Sequence, residues 1–422
     1  MTAREGRERV GGPVFWKIAG AGAAFQAGSA AVDTATIIAS LVNHLTGNVY
    51  AVGAASAILR LGWLLPQLVV GFLAQRARRS MPFYIAGAFG RAACLAFIAV
   101  LLAVAGAGSG AWLAGAFLIL WTLYAFISGI VAVPYNDIVG RSISSGARSR
   151  LLAWRFFGGG ILALGVAALV HHLLATQPVL NAHALIFLLA SVLMVGSAAS
   201  FISAGEPPAP AIDGEPARRF RAFLADGLKV MRTDPRFRLF LYTQWVGGAT
   251  FMALPFYVVA AARMGLGIED VGILLGAQTA GALASNALWG HIGDRFGKLV
   301  LLQVVAVLRF APPLGVFAIL TLGDNGTWPM LPAFAALFVA IGALVNGMTI
   351  GYLGYLMEVS PNHKRPAYSA YFNALASPAA LLPLAGAAVA DTWSLEVVFG
   401  LAVLAATVQL ALYARLARWE NA

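Results

Sequence analysis

Long apolar runs alternate with short polar breaks along the whole chain. Most runs reach about 20 residues, which is enough for a helix to cross the hydrocarbon core of a bilayer. They are continuous and rich in Ala, Leu and Gly, whereas membrane barrels need shorter segments of alternating polarity. Twelve membrane-spanning helices are therefore expected, at residues 15–42, 49–75, 82–105, 110–138, 151–175, 182–203, 237–263, 269–292, 299–322, 327–357, 367–390 and 394–417.

The composition agrees with this pattern. The 422 residues are 60% hydrophobic and 11% charged, with a mean hydropathy of +0.82. A soluble domain could not bury so much apolar surface, but a bilayer can cover it. The predicted fold class is an all-α polytopic membrane protein, and the long first run following a basic start predicts a retained span rather than a cleaved signal peptide.

The basic residues predict the topology. Of the 28 Lys and Arg, 24 lie on one side: 20 before the first run, in the connections that follow even-numbered runs or after the last run, and four within the adjoining ends of runs. The connections at 43–48 and 106–110 contain none. By the positive-inside rule both termini are expected on the cytoplasmic side. The net charge of +11 is then mainly a topology signal, and because it is spread over many short loops it disfavours a nucleic-acid surface.

Two stretches repeat one pattern at a distance of 219 residues. Gly71 to Arg79 and Gly290 to Lys298 each join the second apolar run of one half to the third. The repeat predicts two copies of one membrane unit, an architecture typical of secondary transporters. Residues 204–236 are the expected linker, because they begin Pro-rich and continue with a segment able to form an amphipathic surface helix. The predicted domains are thus 1–203 and 237–422.

The repeated stretches resemble the signature of the major facilitator superfamily, Gly-x-x-x-Asp-Arg-x-Gly-Arg/Lys. The second copy fits it fully, and in the first copy Gln75 replaces the Asp and Arg78 replaces the second Gly. The resemblance covers essentially the whole chain and implies two pseudo-symmetric six-helix bundles that work by alternating access. It implies nothing specific about the substrate, since this scaffold carries many solutes. The matching residues of the second copy are Gly290, Asp294, Arg295, Gly297 and Lys298.

Charged residues near the repeated stretches predict a cytoplasmic gate in each half. A carboxylate at a helix end can accept hydrogen bonds from an opposing helix start and attract basic side chains. We expect Lys298 to reach Glu358, and Arg79 to reach Asp137 with help from Arg141. Ordinary loop charges that obey the positive-inside rule are the alternative. The gate candidates are Gln75, Arg76, Arg79, Asp137, Arg141, Asp294, Arg295, Lys298 and Glu358.

Two charges within the predicted spans point to the transport mechanism. Asp33 and Arg60 lie at similar depth in the first two spans, and an intramembrane carboxylate is costly unless paired, protonated or functional. A carboxylate on the first span is a frequent proton carrier in the family that the chain resembles. The pair is therefore either a proton switch or a static link between two helices. For Arg91 and Arg309 we expect a structural role, by snorkelling or by binding backbone carbonyls.

Further polar and aromatic residues in the spans are candidates for the lining of a transport cavity. Each of them could instead connect helices by a hydrogen bond. The candidates are Gln26, Tyr124, Gln244, Trp245, Tyr257, Gln278, Asn346 and Asn373.

These features predict a proton-coupled secondary transporter in a bacterial cytoplasmic membrane, with small solutes, protons and lipids as partners. Export is favoured over uptake because the expected cavity is largely apolar. The alternatives are a symporter or uniporter for a small polar metabolite, and a flippase for lipids or amphiphiles. No nucleotide-binding loop and no cluster of acid, base and nucleophile is present, so an enzyme is not expected. We expect a monomer without cofactor or metal.

Overall fold

The computed structural model describes residues 12–74, 79–105, 110–208, 220–322, 329–360 and 365–421. These residues form helices and connecting turns, and no β-strand occurs among them. The predicted all-α polytopic fold is confirmed.

The described residues of the first half form seven helices. They are α1 (Pro13–Ala30), α2 (Ile37–Thr46), α3 (Val49–Ala74), α4 (Met81–Val104), α5 (Gly110–Ser142), α6 (Ser145–Thr176) and α7 (Val179–Ser203).

In the second half ten helices occur within the described ranges, with short 3-10 turns at Ile268–Asp270 and Ser377–Leu381. They are α8 (Phe220–Thr233), α9 (Pro235–Phe251), α10 (Phe256–Arg263), α11 (Val271–Arg295), α12 (Lys298–Leu308), α13 (Ala311–Leu322), α14 (Met330–Val359), α15 (Arg365–Ala376), α16 (Leu382–Thr392) and α17 (Leu395–Asn421).

The helix count agrees with the predicted spans. Eleven helical segments among the described residues are long and apolar enough to cross a membrane, and α2 is a shorter apolar helix. The first predicted run, 15–42, corresponds to α1 and α2 together. Some spans consist of two consecutive helices because the chain breaks within them, as α9 and α10 do in Pro235–Arg263.

The chain divides into two compact units. One unit comprises Met1–Asp33 and Ile58–Ala217, and the other comprises Thr34–Ala57 and Arg218–Ala422. The break at 217 falls within the predicted linker. The segment 34–57 belongs to the second unit, where α2 packs against α10 and α11.

Each unit has its own apolar core. In the first unit α1 packs against α6 and α7, and α4 packs against α5 and α7. In the second unit α11 packs against α14, and α9 and α12 pack against α17. The two cores are centred on Phe15, Tyr84 and Phe201 in the first unit and on Phe240 and Tyr413 in the second.

A close helix contact recurs at the same place in both units. A Cβ added to Gly62 of α3 would lie 2.5 Å from Ala125 Cβ of α5. A Cβ added to Gly281 of α11 would lie 2.0 Å from the backbone oxygen of Val339 in α14. Only glycine permits these distances, so each contact depends on a missing side chain. Gly62 and Gly281 are 219 residues apart, the same separation as the repeated stretches.

Candidate functional site

In each half of the chain the first membrane span is interrupted near its middle. Between α1 and α2, residues 31–36 form turns, and Asp33 donates its backbone N–H to the Ala30 carbonyl at 3.2 Å. Between α9 and α10, residues 252–255 form turns that end at Pro255. Short polar side chains and proline both weaken a helix, the former by competing for backbone hydrogen bonds and the latter by lacking an N–H. Asp33 therefore lies in a helix break, where its half-buried side chain is joined to non-helical backbone.

Arg60, the predicted partner of Asp33, lies on α3 and is also half-buried. Both side chains belong to the first unit, and both interact with other residues. The choice between a proton switch and a static pair stays a prediction.

A cavity of about 140 Å³ lies inside the first unit. Side chains from α1 and α3 to α7 line it, and no carboxylate is among the described residues that do so. Two arginines give the cavity a positive charge, since guanidinium groups stay protonated in proteins. The side chains that characterise it are Phe25, Trp63, Tyr84, Arg91, Tyr135, Asn136 and Arg155.

The two arginines of this cavity border one aromatic ring. The guanidinium carbon of Arg91, on α4, lies 4.6 Å from the centre of the Phe25 ring. That of Arg155, on α6, lies 5.8 Å from the same centre and 5.3 Å from the centre of the Tyr135 ring. Aromatic faces attract cations, so these rings hold both guanidinium groups within the apolar interior.

The Arg155 side chain lies in a groove on α1. A Cβ added to Gly22 would lie 2.5 Å from both Cγ and Cδ of Arg155, so the groove exists because position 22 has no side chain. At its end, Arg155 Nη1 donates a hydrogen bond to the Tyr135 hydroxyl at 3.1 Å. Tyr135 in turn packs on Phe201, with ring centres 5.0 Å apart. These contacts fix the arginine head at the cavity.

Three buried polar atoms near this cavity make no hydrogen bond among the described residues. They are Nε of Arg91, Nε of Arg155 and Oε1 of Gln26. Neither arginine forms an ion pair within the described parts of the chain. Buried polar groups normally have partners, and buried charges are costly without them. The first unit thus contains unused hydrogen-bonding capacity of the kind that a bound molecule can satisfy. Gln26, a predicted lining residue, packs beside Gly159 of α6.

The second unit repeats the arginine–phenylalanine contact with a different environment. Arg309 lies with its guanidinium carbon 4.2 Å from the centre of the Phe251 ring. Arg309 Nη1 also donates to Gln409 Oε1 at 2.7 Å, and Gln409 Nε2 donates to the Thr243 carbonyl at 3.0 Å. A cavity of about 40 Å³ adjoins Arg309 and the predicted lining residue Tyr257. In this unit the side-chain amide of Gln409 accepts a hydrogen bond from the guanidinium group of Arg309.

Arg91 and Arg309 are expected to have a structural role, by snorkelling or by binding backbone carbonyls, and both are found buried within their own units. Their exposed fractions are only 2% and 6%. Each side chain points to an aromatic ring inside its own unit, because the ring provides a favourable interaction that does not require water.

Four of the predicted lining residues make hydrogen bonds between helices of the second unit. Asn346 of α14 donates to the Ala282 carbonyl at 2.9 Å and to the Asn286 side chain, both on α11. Asn373 of α15 accepts from the Tyr352 hydroxyl at 2.6 Å. These bonds match the alternative of helix-connecting side chains.

The other two of the four follow the same pattern. Gln244 Nε2 donates to the Tyr413 hydroxyl at 3.1 Å, and Trp245 Nε1 donates to the Leu375 carbonyl at 2.9 Å. Gln278 is half-buried on α11, and its backbone oxygen lies at the close contact with Gly342. In the first unit Tyr124 is buried and stacked on Trp121, with ring centres 4.9 Å apart.

A charged network joins three segments at the end of the first unit that is predicted to be cytoplasmic. Arg141 Nη2 lies 2.6 Å from Asp137 Oδ2 and 2.6 Å from Glu206 Oε1. The Ser80 hydroxyl donates to Asp137 at 2.6 Å, and Arg141 Nη1 donates to the Pro207 carbonyl at 2.7 Å. Arg141 therefore connects α5 to the chain that follows α7.

Glu206 completes this network by capping α4. Its carboxylate accepts the backbone N–H groups of Ser80 and Met81 at 2.8 and 3.1 Å. Gly205, with φ +79°, ends α7 in a left-handed conformation that turns Glu206 towards α4. Burial acts to raise the pKa of Glu206, but the hydrogen bonds from Arg141 and from the two N–H groups outweigh it and lower that pKa. Glu206 is not among the gate residues predicted from the sequence.

The remaining gate candidates of the first half occupy different positions. Arg79 is exposed, and no hydrogen bond or ion pair joins it to Asp137 in the part of the chain that the structure describes. Gln75 and Arg76 lie outside the described residues.

In the second half the signature residues interact within their own stretch. Lys298 Nζ lies 2.8 Å from Asp294 Oδ1, one helical turn earlier. The Arg295 guanidinium lies over the Phe296 ring, 5.5 Å from its centre. Glu358 is exposed at the end of α14. A contact between Lys298 and Glu358 stays a prediction.

Arg155 is the main site residue that the sequence analysis missed. It was counted with the topology-determining basic residues because it lies in the first turns of the fifth run. Its neighbours Trp154 and Phe156 were the available signal, since an arginine flanked by aromatics within an apolar run is not a loop charge. The pair Arg236 and Glu420, which also bonds Tyr355, was missed as well.

The family to which the chain belongs defines the class of protein, which is a polytopic α-helical membrane transporter and not an enzyme. The chain belongs to the Major Facilitator Superfamily, whose family model matches residues 18–382. The resemblance seen in the repeated stretches is thereby confirmed.

Solved transporter structures share the fold. The chain is similar to a mutant of the nucleoside transporter NupG, with a TM-score of 0.73 and 10% identity over 96% of this chain and 99% of the other. It is also similar to a bacterial homologue of the iron transporter ferroportin in an inward-facing state, with a TM-score of 0.70 and 12% identity over 96% and 98%. At these identities the similarity concerns the fold alone.

Relatives in sequence are mycobacterial proteins. The uncharacterized protein Rv2209 of Mycobacterium tuberculosis is 23% identical over 406 residues, which is 94% of this chain and 76% of that protein. The uncharacterized protein Mb2232 of Mycobacterium bovis matches to the same extent.

Proposed function

We propose that the protein is a proton-coupled secondary active transporter of a bacterial cytoplasmic membrane, and that it moves a small solute by alternating access. The observation that carries this proposal is the position of Asp33 in the break between α1 and α2. Discontinuous spans at matching positions of two repeats are where transporters bind substrates and coupling ions. A carboxylate with non-helical backbone beside it can change protonation without disturbing a continuous helix.

In this mechanism Asp33 binds and releases the proton, and Arg60 modulates its affinity. The halves 1–203 and 237–422 move against each other around the linker 204–236, and both termini are cytoplasmic. The charged networks around Arg141 and Lys298 stabilise one state of the cytoplasmic gate. The protein works as a monomer and exports its solute.

A second candidate is symport or uniport of a small polar metabolite. The cavity of the first unit supports it, because Arg91, Arg155 and Asn136 give that cavity a polar wall. Export of an apolar solute would not need these groups.

The test uses purified protein reconstituted in liposomes with imposed pH gradients of either sign. Solutes are first chosen by a thermal-shift screen of sugars, organic acids, amino acids, cationic drugs and amphiphiles at two pH values, since a ligand raises the melting temperature of the state it binds. Asp33→Asn is expected to abolish gradient-driven transport and to retain solute exchange.

The matched control is Asp391→Asn, which changes an exposed carboxylate at the end of α16. It is expected to transport like the wild type. If Asp33→Asn keeps the full dependence on the pH gradient, Asp33 is not the proton-binding group. The direction of the gradient that drives accumulation decides between export and uptake.

A further inference from the structure

We infer that the cavity of the first unit binds a small organic anion, whose carboxylate or phosphate group is held by Arg91 and Arg155 and whose body lies against the aromatic wall. This inference rests on the proposed function only in treating the anion as the solute that is transported. Carboxylate and phosphate ligands of this site would share the same chemistry, an oxyanion attached to a flat apolar body.

The charge of the cavity is the first argument. Arg91 and Arg155 border the same Phe25 ring, and the described lining contains no carboxylate to neutralise them. Two like charges in an apolar interior repel each other and lack the solvation that water would provide. A bound anion removes both costs, whereas a bound cation would increase them.

The hydrogen-bonding geometry is the second argument. Nε of Arg91 and Nε of Arg155 are buried and make no hydrogen bond among the described residues. A guanidinium presents Nε and one Nη as a fork that matches the two oxygens of a carboxylate or phosphate. In Arg155 the hydrogen bond from Nη1 to Tyr135 orients the group. Nε lies against Gly22 in the groove on α1, and Nη2, which makes no hydrogen bond among the described residues, is the donor left for such a contact.

The contrast between the two units is the third argument. Arg309 contacts a phenylalanine as Arg91 does, yet there the side chain of Gln409 accepts a guanidinium hydrogen bond within the protein. In the first unit a second arginine, Arg155, lies beside the contact, whereas in the second unit the amide of Gln409 lies there. Arg309 thus has a side-chain acceptor for Nη1 within its unit, whereas Nε of Arg91 and Nε of Arg155 make no hydrogen bond among the described residues.

Size and shape limit the ligand. The cavity of about 140 Å³ is comparable to an engineered cavity of about 150 Å³ that holds benzene. Trp63, Tyr84 and Phe25 supply flat walls against which a ring can stack. A molecule of the size of benzoate or phenyl phosphate fits these limits.

The test measures binding to the full-length protein purified in detergent, by calorimetry and thermal shift. The probes are benzoate, phenyl phosphate and inorganic phosphate, with benzyl alcohol and benzylamine as neutral and cationic counterparts. We expect the two aromatic anions to bind and the neutral and cationic probes to bind at least about tenfold more weakly, because charge-assisted hydrogen bonds distinguish them. Equal binding of benzyl alcohol and benzoate would overturn the inference.

Variants assign the binding to the arginines. Arg155→Gln is expected to weaken binding of benzoate at least about tenfold, and Arg155→Lys to weaken it less because the charge remains while the fork is lost. Arg150→Gln removes an exposed arginine from the same helix and is expected to bind like the wild type. If Arg155→Gln does not fold, Arg155→Lys and Arg91→Lys carry the test. Wild-type affinity in every arginine variant would overturn the inference.

Two further experiments complete the test. One distinguishes a lipid headgroup from a free solute as the source of the anion, and the other distinguishes the anion site from the proposed transport function. In lipid nanodiscs of phosphatidylcholine, adding phosphatidylglycerol should displace benzoate if a lipid headgroup occupies the cavity, and leave benzoate binding unchanged if the ligand is a free solute. Liposome uptake of labelled benzoate then tests transport. Binding that depends on Arg155 without any transport keeps the anion site and rejects the anion as a transported solute. Transport of another solute that is unchanged in Arg155→Gln, together with no binding of benzoate, keeps the transporter and rejects the anion site.

Discussion

The guanidinium group of Arg91 lies over the ring of Phe25, with 4.6 Å between the guanidinium carbon and the ring centre. The second unit repeats this relationship between Arg309 and Phe251 at 4.2 Å. In both units an arginine from the third span meets a phenylalanine from the first. The duplicated chain has therefore kept the same buried cation and the same aromatic partner in each copy. What differs is the second polar group, which is Arg155 in one unit and Gln409 in the other.

Phe25→Leu tests the contribution of the shared ring to stability. The substitution keeps an apolar side chain but removes the aromatic face that Arg91 and Arg155 border. Because a desolvated cation–π contact is worth about 2 kcal/mol, we expect a clear decrease of the melting temperature. Phe25→Tyr keeps the face and should retain most of the stability. Equal melting temperatures of Phe25→Leu and the wild type would show that the ring does not stabilise the arginines.

The architecture was predictable because it depends on average properties of long segments. Twelve apolar runs and the repeated stretches each involve many residues, so no single side chain decides the result. The breaks within spans were not predicted as such. Asp33 and Pro255 indicated the positions, but whether a polar residue or a proline interrupts a membrane helix depends on which neighbouring helices satisfy the freed backbone groups.

The candidate site was less predictable, because the role of each polar side chain depends on which residues surround it in the folded protein. Asn346 and Gln244 have the same polar character as a substrate ligand, and only the positions of Asn286 and Tyr413 show that they connect helices. Arg155 has the sequence position of a topology signal. It reaches the cavity because Gly22, on a helix far away in the sequence, leaves a groove for its side chain. A contact between residues so far apart in the chain has no local pattern.

Glu206→Gln tests the cap on α4 through its pH dependence. The pKa of Glu206 is lower in the folded protein than the ordinary value of about 4.3, so its ionised form stabilises the fold. That stability is fully present above the unfolded pKa and is lost as the pH falls through the folded pKa. We expect the variant to melt a few degrees below the wild type at neutral pH and the difference to shrink below about pH 4. The measurement is a series of melting curves between neutral and acidic pH.

The control for this series is Asp391→Asn, which neutralises an exposed carboxylate of the second unit. It should not show the same loss at neutral pH. A difference for Glu206→Gln that persists unchanged in acid would mean that the carboxylate charge does not stabilise the cap.

Gly281→Ala tests the close contact between α11 and α14. The new Cβ would lie 2.0 Å from the Val339 backbone oxygen, which cannot move aside as the end of a side chain can. Overpacking of this kind costs about 1–3 kcal/mol or more, so we expect a lower melting temperature or loss of folded protein. Gly400→Ala on α17 is the matched control, because nothing lies within 4 Å of its Cβ position. Equal stability of the two variants would contradict the contact.

Gln409→Leu tests how the second unit satisfies its buried arginine. Gln409 is fully buried, accepts from Arg309 and donates to the Thr243 carbonyl, so leucine removes an acceptor and a donor at once. Each buried group left without its partner costs about 1–3 kcal/mol, and we expect a large decrease of the melting temperature. Gln409→Glu restores the acceptor for Arg309 but not the donor for Thr243, so it should lose less than the leucine variant. The exposed Gln177→Leu serves as the control for the change of residue type. If Gln409→Glu is no more stable than Gln409→Leu, the bond to Arg309 is not what makes this amide necessary, and the contrast between the two units would have to rest on Arg155 alone.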